Sequence, residues 1–109
     1  MTRSVALQGS LPLLVLKVLA RRGPLHGYAL TLQIERVSDD VLRVKEGSLY
    51  PALHRMEEAG WIKARWMTTP QKRRARVYDL TAAGRKQLAE EETRWRQVTS
   101  AVDHVLKHA

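Results

Sequence analysis

The sequence contains no cysteine among its 109 residues. Disulfide bonds, thiolate nucleophiles, zinc sites with cysteine ligands and iron–sulfur clusters are therefore excluded. A long hydrophobic run is also missing. The longest apolar stretch near the start, residues 11–20, contains Pro12 and Lys17 and is far shorter than the roughly 20 residues that cross a bilayer. The N-terminus has no small-residue cleavage site after an apolar stretch, so we expect no signal peptide and a cytoplasmic location.

The patterns of a catalytic or metal centre are absent as well. No nucleophile is paired with a base, no glycine-rich loop could hold a phosphate, and the carboxylates form no cluster of catalytic type. The four histidines are scattered. His104 and His108 are four residues apart, but that spacing alone makes a weak metal site. We therefore expect neither an enzyme nor a metal site, and no cofactor.

Acidic residues are few compared with basic ones: 11 Asp and Glu stand against 19 Lys and Arg, a net charge of +8 with neutral histidines. Residues 1–60 carry a net charge of +2 and residues 81–109 carry +1, whereas residues 61–80 carry +5. A basic excess favours a polyanionic partner, and nucleic acid more than a membrane, although many small bacterial proteins are basic without one. The segment 61–80 holds most of the excess.

The remaining composition, 44% hydrophobic and 28% charged, is typical of a folded globular protein of one domain. Apolar periodicity predicts three helices in the first 60 residues. The first covers residues 11–22 after an irregular segment 1–10, with Ser10 as its N-cap. The second covers residues 27–38 and is followed by a short extended piece, residues 41–44. The third covers roughly residues 46–59, with Ser48 and Pro51 as cap and first turn and Gly60 as its stop. Alternatively this helix starts slightly earlier, and Pro51 then costs it one backbone hydrogen bond.

After Gly60 the period changes to two. Apolar and basic residues alternate over residues 62–66, which predicts a half-buried strand, and the alternation over residues 74–80 predicts the returning strand. Residues 68–72 form the turn between them, so the +5 segment becomes a β-hairpin with a basic tip. Thr81 is the predicted N-cap of a last helix, residues 82–107.

The last helix carries a heptad-like seam, a row of six residues at alternating spacings of three and four. These residues are Leu88, Glu91, Trp95, Val98, Val102 and Val105. Five of its six residues are apolar, and a monomer would expose this stripe, which predicts a homodimer. Glu91, the sixth, could pair with an arginine across the dimer. Trp95 is either a dimer anchor or part of a ligand pocket. The predicted interface consists of Leu14, Val18, Leu88, Trp95, Val98, Val102 and Val105.

Three helices, a basic hairpin and one long helix are the layout of a winged helix-turn-helix protein, mainly α with a small β-hairpin. The second helix of such a pair enters the major groove of DNA, and here that is the helix at 46–59. The hairpin arginines can contact the neighbouring phosphates, or they can form a solvated charge run. Tyr50 can belong to the core instead, and His54 and Arg55 can be solvated. The predicted DNA contacts are Ser48, Tyr50, Pro51, His54, Arg55, Lys72, Arg73, Arg74 and Arg76.

Three segments carry a resemblance to a known family: LLVLKVLARRGPLHGYAL, EGSLYPALHRMEEAGWI and RRARVYDLTAAGRKQL. With them the chain resembles the PadR family of transcriptional regulators, in its short subclass with a single C-terminal helix. The resemblance implies a homodimeric DNA-binding protein, usually a repressor, whose recognition helix carries residues 48–51. It also implies that Tyr28 lies at the DNA backbone or supports that helix. Lys45 departs from the family, where a small capping residue is common.

In some PadR relatives an aromatic residue at the place of Trp95 lines a dimer-interface pocket for flat apolar ligands, which implies a possible small aromatic or apolar effector. We expect residues 1–80 to form the DNA-binding unit, with the wing at about 61–80, and residues 81–109 to form a dimerisation helix of the same compact unit. The expected partner is double-stranded DNA with a roughly palindromic operator. The alternative is a winged-helix protein–protein adaptor without a DNA role, against which the basic hairpin argues.

Overall fold

A computed structural model describes the backbone from Thr2 to Ala109 and the side chains from Gly9 onward. Four helices and a small antiparallel sheet make up the fold, which confirms the predicted winged-helix class. In chain order the elements are α1 (Thr2–Arg22), β1 (Leu25–His26), α2 (Gly27–Val37), α3 (Glu46–Glu58), β2 (Ile62–Thr68), β3 (Arg74–Leu80) and α4 (Ala82–His108). Within the described residues no helix is both long and apolar enough to cross a lipid bilayer.

The first helix begins earlier than predicted, because residues 2–10 continue it instead of forming an irregular segment. Ser10 is thus inside α1 and is not its N-cap. Pro12 also lies within the helix, where it lacks one backbone N–H without ending the helix. The prediction followed apolar periodicity, which marks only the turns that face a core and gives no signal for a polar extension.

The start of α3 is the earlier of the two predicted possibilities, with Pro51 inside the helix. Its N-cap is Lys45, with φ −93° and ψ 144° and no side-chain hydrogen bond to the helix, so Ser48 is a residue of the helix and not its cap. Glu46 in the first turn offers the carboxylate that suits a helix N-terminus. Residues 41–44 form no strand: residues 41 and 42 lie in a bend, and residues 43 and 44 have no regular secondary structure. They follow Asp39 and Asp40, both of which have left-handed φ values.

The sheet has the strand order β1–β3–β2, all antiparallel. The predicted hairpin is present, and its register places Ile62 opposite Leu80 and Trp66 opposite Arg76. Strand β1 was not predicted, since two residues are too few for a periodic pattern. It pairs Leu25 with Tyr78, and thereby attaches the start of α2 to the inner strand of the wing.

One hydrophobic core joins α1, α2, α3 and the sheet. Its fully buried side chains are Leu11, Val15, Leu16, Leu19, Leu30, Leu49, Leu53 and Met56. The apolar spacing of α3 is the reason for its orientation, because Leu49, Leu53 and Met56 occupy one face and leave the opposite face to solvent.

The last helix begins at the predicted cap, with the Thr81 hydroxyl accepting a hydrogen bond from the Gly84 backbone N–H at 3.0 Å. A side chain at Gly84 would collide with the Trp61 carbonyl oxygen. Glycine therefore permits the close approach of α4 to Trp61, the residue directly before β2. Leu88 is 7% exposed and belongs to the core of its own chain. Beyond it α4 continues for five more turns with largely exposed side chains.

Candidate nucleic-acid interface

Helix α3 carries half of the side chains that the sequence predicted for DNA contact. Tyr50, Pro51, His54 and Arg55 are exposed and Ser48 is half-buried. The helix also holds three glutamates, so its surface is not basic by itself. Any attraction for a polyanion must come from the elements beside it.

Those elements form a cleft next to α3, which we call the wing cleft. It has a volume of about 660 Å³ and lies between the start of α2, the first turns of α3 and the tip of the wing. Tyr28 and Tyr50 come from the two helices, and Arg73, Arg74 and Arg76 come from the wing. The fold thus brings five predicted DNA contacts, separated by up to 48 residues in the sequence, to one concave and basic surface.

The position of Tyr50 depends on a glycine. A Cβ atom at Gly27 would lie 2.7 Å from the Tyr50 hydroxyl oxygen and 2.9 Å from the Cε1 atom of its ring. The ring therefore packs on the backbone at the start of α2, while the side chain stays 44% exposed. Tyr50 is neither a core residue nor freely solvated, and its hydroxyl is held at the edge of the wing cleft.

The tip of the wing is a closed turn with its own hydrogen bonds. The Thr69 N–H donates to the Arg73 carbonyl oxygen at 2.7 Å, and the Lys72 N–H donates to the Thr69 carbonyl oxygen at 2.8 Å. The Thr69 hydroxyl accepts from the Arg73 N–H at 3.1 Å. Lys72 adopts a left-handed φ of 62°, which lets the chain reverse without a glycine. The turn holds Lys72 and Arg73 exposed at the end of the hairpin.

Arg74 and Arg76 are arranged around a wing tryptophan. Their guanidinium carbons lie 4.8 Å and 5.5 Å from the centre of the Trp66 ring, within the range of cation–π attraction. Arg76 also donates to the Glu57 carboxylate of α3, with 3.1 Å between Nη2 and Oε2. Burial raises the pKa of the neighbouring Tyr78 phenol, and the charge and hydrogen bond of Arg76 partly oppose that rise.

The other predicted contacts on α3 lie outside the wing cleft. Ser48, Pro51 and Arg55 line a smaller hollow of about 260 Å³ on the far side of the helix. The His54 Nε2 atom is 3.5 Å from the Glu58 carboxylate, one turn along the same exposed face. The exposed surface of α3 is thus flanked by two hollows, with Tyr50 at one, Ser48, Pro51 and Arg55 at the other, and His54 at neither.

Apart from Leu88, which lies in the core, the predicted dimer residues occupy two surfaces. Leu14 and Val18 line an apolar groove of about 690 Å³ between α1 and α2, the α1/α2 groove, whose basic residues are Lys17, Arg21 and Arg22. Trp95, Val98, Val102 and Val105 are each between 47% and 60% exposed along α4. Glu91 accepts hydrogen bonds from Gln87 and Arg94 of its own helix, at 2.8 Å and 3.3 Å.

One residue of the wing cleft was missing from the sequence-based predictions. His26 is exposed, lines the cleft and caps α2 through its ring. It precedes Gly27 and Tyr28, and of these three residues the sequence predicts a DNA contact for Tyr28 alone. The sequence signal for His26 is its position directly before the predicted second helix. A residue there can cap the helix, and it lies at the same helix start as Tyr28. For metal binding, no group of three or more His, Asp or Glu side chains is clustered in the part of the chain that the structure describes.

Comparison with known proteins relates the whole arrangement to one family. The model of the transcriptional regulator PadR-like family matches residues 15–90. A solved transcriptional regulator from Clostridium thermocellum is 26% identical with a TM-score of 0.82, covering 90% of this chain and 94% of its own. A solved PadR family transcriptional regulator from Eggerthella lenta is 28% identical with a TM-score of 0.79, covering 99% of this chain and 92% of its own. An uncharacterized 37.1 kDa protein in transposon TN4556 of Streptomyces fradiae is 46% identical over 79 residues, which span 72% of this chain and 21% of that protein.

Proposed function

Because the chain belongs to the PadR-like family of transcriptional regulators, we propose that it is a homodimeric repressor that binds a roughly palindromic operator in double-stranded DNA. The observation that carries this proposal is the wing cleft, where two tyrosines and three arginines from distant parts of the sequence meet beside the exposed face of α3. A concave basic surface next to an exposed helix suits the backbone and the major groove of a duplex.

In the proposed complex the exposed face of α3 enters the major groove. Tyr50, His54 and Arg55 project from that face toward the base edges, where hydrogen bonds and apolar contacts distinguish sequences. Arg73 and Arg74 hold the neighbouring phosphates, with Lys72 at the tip. Phosphate contacts position the protein and set its salt dependence, while the choice of sequence comes from α3.

The dimer proposal is supported by two exposed apolar surfaces of similar character. The valines and Trp95 of α4 need a partner, since a helix in a protein gains most of its stability by packing its apolar face against another element. The α1/α2 groove, with Leu14 and Val18, offers a second apolar surface. We assign the α4 stripe of each copy to contact with α1 and α4 of the other, and leave Leu88 to the core of its own chain.

The proposed regulation is release of the operator by a small aromatic or apolar effector at the dimer interface. Trp95 lies beside a hollow of about 340 Å³ that also involves Leu13 of α1 and Val98 of α4. A flat ring could stack on the indole there, and a second copy would close the hollow. Occupation by an effector would then alter how the two recognition helices are spaced.

Selection of bound fragments from random double-stranded DNA tests the proposal. We expect enrichment of one inverted repeat with half-sites about one helical turn, roughly 34 Å, apart. An enriched motif without symmetry would contradict the dimeric mode of binding. Failure of the protein to retain any DNA at low salt would contradict the DNA role and favour the protein–protein adaptor. A reporter gene placed behind the enriched operator then separates repression from activation.

A further inference from the structure

His26 occupies the junction of the three parts that build the wing cleft. Its backbone pairs with Val77 of strand β3, its position immediately precedes α2, and its side chain is exposed in the cleft with Tyr28 and Arg73. The attachment to β3 fixes the backbone of His26 relative to the wing. Its ring is therefore held in place relative to the wing arginines and is not on a mobile loop.

The ring has a fixed orientation because it caps a helix. The backbone at His26 is extended, with φ −80° and ψ 165°, and Nδ1 accepts a hydrogen bond from the Ala29 N–H at 3.2 Å. A nitrogen that accepts must carry a lone pair, so the neutral ring holds its proton on Nε2. Among the described residues, Nε2 has no hydrogen-bond partner. The cap thus leaves a donor free on the opposite side of the ring.

Capping alone does not account for the choice of residue. Serine, threonine, asparagine and aspartate are the preferred N-caps and accept the same backbone hydrogen bond with a shorter side chain. What histidine adds is an N–H group that reaches beyond the capping atom. In this chain that additional group belongs to a residue that lines a cleft with arginines and tyrosines.

We propose that His26 is a DNA-contact residue, whose Nε2–H donates a hydrogen bond to a phosphate oxygen of the duplex while Nδ1 remains on the Ala29 N–H. This inference rests on the proposed DNA-binding function. Neutral donors from side chains are common partners of phosphate oxygens in protein–DNA complexes. A ring whose Nδ1 accepts the Ala29 N–H has a single N–H to offer, so the contact adds affinity as a hydrogen bond and not by neutralising a phosphate, unlike the contacts of Arg73 and Arg74.

Two substitutions separate the two nitrogens. His26→Asn places an amide oxygen near the position of Nδ1 and keeps the cap, but has no donor at the reach of Nε2. His26→Gln reaches to the position of Nε2 with its amide and is a poor N-cap.

We expect His26→Asn to keep the wild-type melting temperature and to bind the operator about 3- to 10-fold more weakly, the effect of one hydrogen bond. We expect His26→Gln to melt at a lower temperature and to lose less affinity than His26→Asn at a temperature where both are folded.

The salt dependence gives a second readout that a structural role would not produce. The slope of the logarithm of affinity against the logarithm of salt should be the same for His26→Asn and for the wild type, because no counterion release is lost. Wild-type affinity of His26→Asn, or affinity losses in both variants that follow their melting temperatures, would overturn the proposal. If the wild-type protein itself retains no DNA at low salt, the proposed function fails, whereas DNA binding by the wild type and equally by His26→Asn rejects the role of His26 alone.

Discussion

Arg76 of the wing and Glu57 of α3 form an ion pair, with 3.1 Å between Nη2 and Oε2. The pair joins β3 to α3 and neutralises a carboxylate on a helix that is proposed to enter a polyanionic groove. The same guanidinium lies on the ring of Trp66 and beside the phenol of Tyr78. Arg74 shares the contact with Trp66, but among the wing arginines of the proposed interface Arg76 is the one that an ion pair holds within the protein.

The first prediction distinguishes a supporting role of Arg76 from direct contact with phosphate. If Arg76 holds the wing against α3, Glu57→Gln and Arg76→Ala should both weaken operator binding, and the double variant should be no worse than Arg76→Ala alone. Each change should cost about 0.2–1 kcal/mol of folding free energy, since both side chains are partly exposed. The measurements are titration of labelled operator and urea unfolding of the four proteins.

The opposite pattern would assign Arg76 to the DNA. In that case Glu57→Gln removes a negative charge and releases the guanidinium, so operator binding becomes tighter, while Arg76→Ala remains weaker than the wild type. Glu46→Gln is a suitable control, because it removes an acidic side chain from the first turn of the same helix, away from the wing pair.

The second prediction concerns the salt dependence of Arg73 and Arg74. Each contact between a basic side chain and a phosphate contributes about 0.9 to the slope of log affinity against log salt. The double variant Arg73→Ala and Arg74→Ala should therefore lower the slope by about 2 if both contacts are made. Arg85→Ala with Lys86→Ala removes the same charge from exposed positions of α4 and should leave the slope nearly unchanged. Equal slopes for the wild type and the wing variant would show that the wing does not hold phosphates.

The third prediction concerns Tyr50 and the glycine beneath it. Gly27→Ala puts a methyl group within 2.7 Å of the Tyr50 hydroxyl oxygen, so the end of this flexible side chain must move. The fold should tolerate the change, whereas the ratio of operator to nonspecific affinity should fall, as one base contact is worth about 1–3 kcal/mol of discrimination. Tyr50→Ala should reduce the same ratio, and Tyr50→Phe, which keeps the ring on Gly27, should reduce it less. Equal loss of specific and nonspecific binding in Tyr50→Ala would give Tyr50 a positioning role.

The sequence predicted those elements whose residues repeat at a fixed period. Leu49, Leu53 and Met56 indicated α3, and the alternation after Gly60 indicated the two strands of the wing, although not which residues pair across them. Strand β1 could not be predicted, because two residues carry no periodic pattern. Their partners in β3, Tyr78 for Leu25 and Val77 for His26, are also far away in the sequence. The same limit applies to the site: composition located the basic segment, but only the fold reveals that Arg76 turns toward Glu57 and that His26 joins the cleft.

The fourth prediction is a loss of stability in acid that depends on one carboxylate. The Glu92 pKa is lowered, mainly by a hydrogen bond from Lys17 at 2.9 Å. A lowered pKa means that the ion pair stabilises the fold above the ordinary glutamate value of about 4.3 and that this contribution disappears as the pH falls below it. The pair joins α1 to α4 and is partly exposed, so about 0.2–1 kcal/mol is expected. Urea unfolding at several pH values should give a flatter pH dependence for Glu92→Gln than for the wild type and for the control Glu90→Gln.

The last prediction tests the dimer through the exposed valines of α4. Val98 and Val102 are 50% and 51% exposed within one chain, so replacing both with glutamate, a good helix former, should leave the fold of the protomer intact. In the dimer the same change would bury four negative charges in one seam, which costs far more than a surface substitution. We expect the wild type to sediment as a dimer at micromolar concentration and the double variant as a monomer with unchanged helix content. The variant should also bind a full operator no better than a half-site.

Gln97→Glu with Ser100→Glu adds the same charge on the opposite side of α4 and should remain dimeric. A monomeric wild type, or a dimeric Val98 and Val102 variant, would place the interface elsewhere.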